Sequence, residues 1–226
     1  MNTEIPKQIA NQISDIKPRL RGWIHAGTFP VAIALGVLLI AFSNGSAAIV
    51  GASIFMATSL ALFGVSALYH RIGWSPNVKA IFRRIDHANI YLLIAGTYTP
   101  LSLMMLPREK ATVLLALVWT GALAGVFFRV FWISAPRWLY VALYVVLGWS
   151  AMLFVTHLFR ASWITMTLVL VGGVLYSLGA AVYGFQRPNP SPKWFGFHEV
   201  FHSLTVAAFL FQWTGVFLLA LRGARI

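Results

Sequence analysis

Five side chains in the sequence have the types and spacing of a metal-dependent active site. Ser66 and His70 are four residues apart, so both would project from one face of a helix. His198 and His202 have the same spacing, and Asp86 opens an apolar stretch between the two pairs. Three imidazoles with one open position are the ligand set of catalytic zinc, whose bound water has a pKa of about 7. The pattern predicts zinc on His70, His198 and His202.

Asp86 and Ser66 are predicted to act on the water rather than to bind the metal. Three neutral imidazoles leave zinc with its full charge, which a nearby Asp86 carboxylate would offset. Asp86 could also accept the proton of the water, and Ser66, one turn before His70, could hold that water or an oxyanion. Each residue also has a structural explanation, since His70 and Asp86 suit the ends of helix dipoles and Ser66 is small enough for helix packing.

Residues 198–202 also match the His-Glu-x-x-His pattern of zinc proteases, in which the glutamate activates water. An intramembrane protease of this kind needs a further aspartate ligand downstream, and no acid follows Glu199 in the sequence. Glu199 would also point away from the edge shared by the two histidines, because a helix turns about 100° per residue. The spacing therefore favours Asp86 over Glu199 as the catalytic carboxylate.

The composition excludes a water-soluble domain. Hydrophobic residues make up 59% of the 226 residues and charged residues 10%, whereas soluble domains are about 25% charged. The net charge of +12 lies between apolar stretches rather than on one basic face, so it indicates loop charge and not nucleic-acid binding. The sequence has no cysteine, which excludes disulfides and thiolate ligands.

The apolar stretches predict an all-α integral membrane protein, a single seven-transmembrane helical bundle over residues 1–226. Stretches of about twenty residues match a hydrocarbon core of about 30 Å, and they lack the alternation of barrel strands. The predicted spans are 24–43, 47–69, 86–106, 111–133, 138–157, 162–185 and 197–221.

Loop charges predict a cytosolic N-terminus and an external C-terminus. Twelve of the 17 Lys and Arg fall on the N-terminal side of the bundle and five on the other. The end of span 2 and the starts of spans 3 and 7 then share the cytosolic side, although the five candidate residues are up to 136 positions apart. His25 and His87 are expected near this interface, beside the site or facing solvent, and His157 at the opposite face.

Two stretches on the cytosolic side have an interfacial pattern. Ile9, Ile13 and Ile16 would fall on one side of a helix. Ser75 with Pro76 resembles the start of a second helix, which would have its apolar residues on one face and its basic residues on another. A surface helix on anionic lipid and an ordinary polar loop are both compatible with these stretches.

Motifs in five separate segments, in order along the chain, resemble those of the hemolysin III family within the progestin and adipoQ receptor group. The segments are Ser66-Ala67-Leu68-Tyr69-His70, Asp86-His87-Ala88-Asn89-Ile90, Gly96-Thr97-Tyr98-Thr99-Pro100, Ala135-Pro136-Arg137-Trp138 and Phe197-His198-Glu199-Val200-Phe201-His202. The resemblance implies seven helices with a cytosolic N-terminus and zinc on His70, His198 and His202, with Asp86 reaching the metal water. The Ser, Asp and three-His set is also similar to that of alkaline ceramidases, which hydrolyse a lipid amide. Glu199 departs from the eukaryotic receptors, in which an uncharged residue is expected.

These observations predict a multi-pass protein of the cell (inner or plasma) membrane. Its expected activity is zinc-dependent hydrolysis of an acyl-linked lipid, an amide or ester such as a ceramide-like lipid, in membrane lipid homeostasis. The alternatives are a receptor-like or homeostasis protein with structural zinc, and a haemolytic pore-former. Seven full spans leave a pore-former without a soluble form, and external loops of a few residues leave a receptor little surface for a folded ligand.

Overall fold

The apolar stretches of the sequence become long helices that are connected by short turns. The computed structural model describes residues 18–222, so the predicted helix around Ile9, Ile13 and Ile16 lies outside the described residues. Within residues 18–222 the helices are α1 (Trp23–Ala41), α2 (Ser46–Arg71), α3 (Pro76–Met105), α4 (Arg108–Phe131), α5 (Arg137–Gly148), a 3-10 turn (Ser150–Phe154), α6 (Val155–Ala161), α7 (Trp163–Phe185) and α8 (Phe197–Arg222).

Prolines mark three of the helix starts. Pro76 is the first residue of α3, and Pro107 and Pro136 directly precede α4 and α5. Proline suits these positions because its fixed φ matches a helix start, where its missing N–H leaves no bond unmade. At the start of α7 the Ser162 side chain accepts a hydrogen bond from the backbone N–H of Thr165, at 3.3 Å.

α3 is longer than the sequence pattern predicts. The expected start at Ser75 and Pro76 is present, but residues 76–85 form no separate surface helix. They continue into the predicted span 86–106 as one helix of 30 residues, about 45 Å long, because no Gly or Pro interrupts residues 77–86. This helix exceeds the roughly 30 Å thickness of a hydrocarbon core.

Within the described residues 18–222, six helical segments are long and apolar enough to cross a membrane. They are Trp23–Ala41, Ser46–Arg71, Arg108–Phe131, Arg137–Ala161, Trp163–Phe185 and Phe197–Arg222. The fourth segment contains α5, the 3-10 turn and α6. α3 does not join this set because it carries more polar side chains, many of them buried, including Asn89, Thr97 and Ser102. Its surroundings are therefore largely protein.

The packing order brings several helix ends to one end of the bundle. α2 and α4 pack along α3, α7 packs along α8, and α1 contacts both α2 and α8. Small residues permit close approach: a Cβ at Gly51 would lie 2.7 Å from the Cα of Pro100, and one at Gly125 would lie 2.4 Å from the Tyr91 ring. Because neighbouring helices run antiparallel, α2 ends where α3 and α8 begin, and the candidate residues lie at these ends.

Candidate metal centre

Three histidines from two helices converge at this end of the bundle. His70 lies in the last turn of α2, and His198 and His202 lie in the first two turns of α8. Potential ligand nitrogens of the three rings all lie within 4.8 Å of one another, and the Nε2 atoms of His70 and His198 are 3.1 Å apart. His70 and His202 are buried and His198 is partly buried. The cluster could hold a metal ion.

The geometry of the cluster fits zinc. Two nitrogens bound to one tetrahedral zinc at 2.0–2.1 Å lie about 3.3 Å apart, close to the separation of the His70 and His198 Nε2 atoms. The Nδ1 atom of His202 is buried and has no hydrogen-bond partner among the described residues. Burial without a partner is costly for a ring nitrogen, so a ligand at this position would satisfy it.

Asp86 and Ser66 lie beside the histidines. The Asp86 Oδ2 atom is 4.0 Å from the Nε2 of His70, and the Asp86 carboxylate is hydrogen bonded by the Ser66 hydroxyl. Ser66 is one turn before His70 on α2, and Asp86 comes from α3. The structure therefore brings together all five residues that the sequence singled out, with the carboxylate close to the cluster but not inside it.

A partly open cavity leads away from these residues, and its space of about 1120 Å³ includes open solvent at its mouth. Its polar end contains Ser66, Asp86, His198 and His202, and its walls are formed by apolar and aromatic residues of α3, α5, α7 and α8. At the far end the Thr97 hydroxyl donates a hydrogen bond to Oε1 of Gln212, at 3.3 Å, and both residues line the cavity. An apolar cavity with a few convergent polar groups is the usual form of a small-molecule site.

His25 is closer to the cluster than the sequence established. Its ring stacks on that of His202, with centroids 3.7 Å apart and planes 9° from parallel. His25 is 2% exposed, so it does not face solvent, and neither ring nitrogen has a hydrogen-bond partner among the described residues. The ring holds one face of His202 and lines the cavity.

Glu199 serves an ion pair and not the metal cluster. Its Oε1 atom accepts a hydrogen bond from Nε of Arg21 at 2.5 Å, its Oε2 accepts one from the backbone N–H of Gly196 at 2.8 Å, and its side chain is fully buried. The sequence predicted that Glu199 points away from the histidines but did not identify Arg21 as its partner. With both carboxylate oxygens engaged, the geometry disfavours a water-activating role.

The backbone conformation of residue 22 and its close contact with His70 both require a glycine. Gly22 directly precedes α1 with φ of +82°, a conformation that L side chains rarely adopt, and a Cβ there would lie 2.6 Å from the Cβ of His70. Backbone bonds from Arg19 to Lys193 and from Leu20 to Trp194 fix this segment against the residues before α8. The segment thus packs α1 against the metal cluster.

The other histidines lie outside the cluster. His87 lines the cavity and is hydrogen bonded through Nδ1 to Nη2 of Arg129, at 2.7 Å. Arg129, one of the twelve basic residues counted on the N-terminal side, lies within α4 and is 1% exposed. His157 is hydrogen bonded with Lys110 in the first turns of α4, at the opposite end of the bundle. Hydropathy could not distinguish a buried Arg129 from one at a helix end.

The fold and the site define a class, a multi-pass helical membrane protein with a buried histidine cluster above an intramembrane cavity. The sequence matches the family described as Haemolysin-III related over residues 14–213. The chain belongs to this family, which confirms the resemblance found in the motifs.

Individual relatives are consistent with this assignment. Hemolysin-3 of Bacillus cereus is 34% identical over 157 residues, which are 68% of this chain and 71% of the relative. The Hemolysin-3 homolog of Bacillus subtilis (strain 168) is 37% identical over 153 residues, 67% of this chain and 71% of the relative. Progestin and adipoQ receptor-like protein 1 of Caenorhabditis elegans is 25% identical over 182 residues, 73% of this chain and 42% of the relative. No solved structure matches the chain.

Substitution of Gly22 by alanine is expected to disturb the cluster through His70. The new Cβ would overlap the His70 Cβ, in addition to a backbone strain of about 1–2 kcal/mol at positive φ. Purified Gly22→Ala should therefore bind less zinc, by elemental analysis, and unfold at a lower temperature than the wild type.

Gly45→Ala is the matched control. Gly45 has a similar φ of +88°, but a Cβ there would meet no atom within 4 Å. It should lose stability through strain alone and keep its zinc. Equal zinc contents in the two variants would show that Gly22 does not position His70.

Proposed function

We propose that the protein is a zinc-dependent hydrolase of an acyl-linked membrane lipid. One observation carries the proposal: His198 and His202, two of the three clustered histidines, line one end of a largely apolar cavity together with Asp86 and Ser66. A lipid in this cavity would place its apolar chain along the walls and its polar linkage at the histidines. Amides and esters of fatty acids, ceramide-like lipids among them, have this form.

Zinc on His70, His198 and His202 would supply a Lewis acid that makes water more acidic and polarises a carbonyl. The role of Asp86 would be to accept a proton from water, since its carboxylate lies beside His70 and faces the cavity. Ser66 orients this carboxylate through its hydrogen bond. Glu199 is withheld from the reaction by its bonds to Arg21 and Gly196.

The cavity has the shape that an acyl chain requires. It follows α8 from His198 to Gln212, a rise of about 21 Å along the helix axis. The walls along this path are largely apolar, and the hydrogen-bonded Thr97 and Gln212 lie at the far end. Hydrolysis at the polar end would release a fatty acid, and a role in membrane lipid homeostasis follows from this product.

We further propose that α3 is a seventh span and that the N-terminus is cytosolic, in the cell membrane. The buried position of α3 among α2, α4 and α8 supports the span, because a helix surrounded by protein needs less hydropathy than one that faces lipid. A reporter fused after Ile226 should accordingly be external and one inserted at Gly73, between α2 and α3, cytosolic. The reverse pattern of reporter activity would overturn this orientation.

The metal is tested directly by stoichiometry. Purified protein should contain about one zinc per chain, removable by a chelator, because zinc requires at least three protein ligands. The variants His70→Ala, His198→Ala and His202→Ala should each lower the zinc content in elemental analysis. His157→Ala, at the other end of the bundle, should leave it unchanged. Full zinc in a His198→Ala, His202→Ala double variant would contradict the site.

The reaction is tested by the release of fatty acid from a lipid panel. Membranes that contain the wild type should release fatty acid from at least one acyl amide or ester. Asp86→Asn should stop release and keep zinc, because an amide keeps the shape of the carboxylate but accepts no proton. Glu199→Gln is the matched carboxylate control, and it should keep zinc and most activity at a cost in thermal stability, since it weakens a buried ion pair.

Two results would change the proposal. A dead Glu199→Gln with an active Asp86→Asn would reverse the two carboxylates and favour the His-Glu-x-x-His chemistry. Zinc without release across the panel would favour a structural metal that joins α2 to α8, a role for which loss of stability on chelation is the signature.

A further inference from the structure

Arg129 is a buried cation whose interactions all lead toward the cavity wall. It lies in the last turn of α4 and is 1% exposed. Its Nη2 atom is 2.7 Å from Nδ1 of His87, and its guanidinium carbon lies 4.2 Å from the centre of the Tyr140 ring. Its Nε and Nη1 atoms have no hydrogen-bond partner within residues 18–222. A charge in such surroundings is costly unless it serves a ligand or a partner.

The hydrogen bond from Arg129 fixes the tautomer of His87. A guanidinium can only donate, so Nδ1 of His87 must accept, and the neutral ring then carries its proton on Nε2. Nε2 lies 3.4 Å from the hydroxyl oxygen of Tyr183, which is its acceptor. The Tyr144 hydroxyl donates to the backbone carbonyl of His87 at 3.1 Å and holds the residue in place. The donors thus form a directed series from Arg129 through His87 to Tyr183.

His87 and Tyr183 both line the cavity, near the metal cluster. The Tyr183 ring lies 5.9 Å from the His198 ring and 6.4 Å from the His87 ring, between the two. The Tyr183 hydroxyl is also hydrogen bonded with that of Tyr140. Tyr183 thus accepts from His87 and donates to Tyr140, and an anionic acceptor in the cavity, which is stronger than a phenol oxygen, would take this proton in place of Tyr140.

The charges around this wall favour an anion. Arg137 lies over the Tyr183 ring, at 5.6 Å from its centre, and adds a second cation beside Arg129. Of the acids within residues 18–222, Glu199 pairs with Arg21 and Glu109 lies in the first turn of α4, whereas Asp86 lies beside His70, lines the same cavity and acts electrostatically on Tyr183. Two arginines without an acidic partner would be complemented by an anionic group on the ligand.

We propose that the Tyr183 hydroxyl, positioned by His87 and backed by Arg129, binds the phosphate of a lipid headgroup. The inference rests on the proposed function and narrows its substrate class from acyl lipids in general to phosphate-bearing acyl lipids. A phosphate oxygen is a strong acceptor for the Tyr183 hydroxyl, and the charge of the phosphate complements the arginines. A neutral, ceramide-like headgroup would use the donors and leave the cations uncompensated.

Binding of two lipids that differ only in phosphate tests the proposal. Phosphatidic acid and diacylglycerol with the same fluorescent acyl chain are titrated into purified, zinc-loaded protein in detergent. The wild type should bind phosphatidic acid more tightly. Tyr183→Phe and His87→Phe should each lower that preference, measured as the ratio of the two dissociation constants, about tenfold, because each removes or misdirects a donor to a charged group.

Control variants distinguish the loss of donors in the cavity wall from a general effect on folding and from a change in net charge. His87→Gln keeps an acceptor for Arg129 and a donor toward Tyr183, so it should retain more of the preference than His87→Phe. Arg108→Gln removes an exposed cation at the other end of α4 and should bind both lipids like the wild type. Zinc content should be unchanged in all these variants, since none alters a residue of the histidine cluster.

Equal affinity of the wild type for the two lipids, or a full preference in both Tyr183→Phe and His87→Phe, would overturn the proposal. Inorganic phosphate is added as a competitor, and displacement of phosphatidic acid at equal concentrations would assign the subsite to free phosphate instead of a lipid headgroup. Fatty acid release without a headgroup preference would refute this inference alone. A headgroup preference without release would refute the hydrolase alone.

Discussion

The need to satisfy buried polar side chains organises this protein. In a bundle with apolar surroundings, each imidazole, carboxylate or guanidinium must find a partner inside the protein. The structure meets this need by gathering such groups at one end, where His70, His198 and His202 share a cluster and Glu199 pairs with Arg21. Large hydrophobic side chains are exposed on the outer surfaces of the helices, so the location of the site and the architecture of the bundle follow from the same constraint.

Sequence reasoning predicted the elements that depend on periodicity and hydropathy. Apolar stretches located the helices, and helix spacing placed Ser66 with His70 and His198 with His202. The distribution of Lys and Arg in the loops then predicted that the helix ends carrying these two pairs lie on the same side of the bundle. It did not predict that residues 76–85 continue into α3, because a surface helix and an extended span have the same amphipathic pattern.

The partners of charged residues were not predictable, because they depend on contacts between distant segments. Arg21 and Glu199 are separated by 178 positions, and no local pattern relates them. Arg129 has the sequence context of a loop cation at a helix end, yet it is covered by Tyr140 and bonded to His87. Cavity walls raise the same difficulty, since His87 could equally have faced solvent. Packing between distant segments determines which partners the charged residues have and which residues line the cavity, and a hydropathy profile contains no information on such contacts.

The contact between the start of the chain and the residues before α8 determines when the site can assemble. Backbone bonds from Arg19 and Leu20 reach Lys193 and Trp194, and Gly22 packs on His70 while His25 stacks on His202. During synthesis the first helices enter the membrane long before α8 exists. Until the last helix inserts, His70 and Asp86 lack the two histidines of α8. The segment before α1 likewise lacks the residues before α8 to which its backbone is hydrogen bonded. The histidine cluster can therefore form only after α8 has inserted, and a chain truncated before Phe197 lacks two of its three histidines.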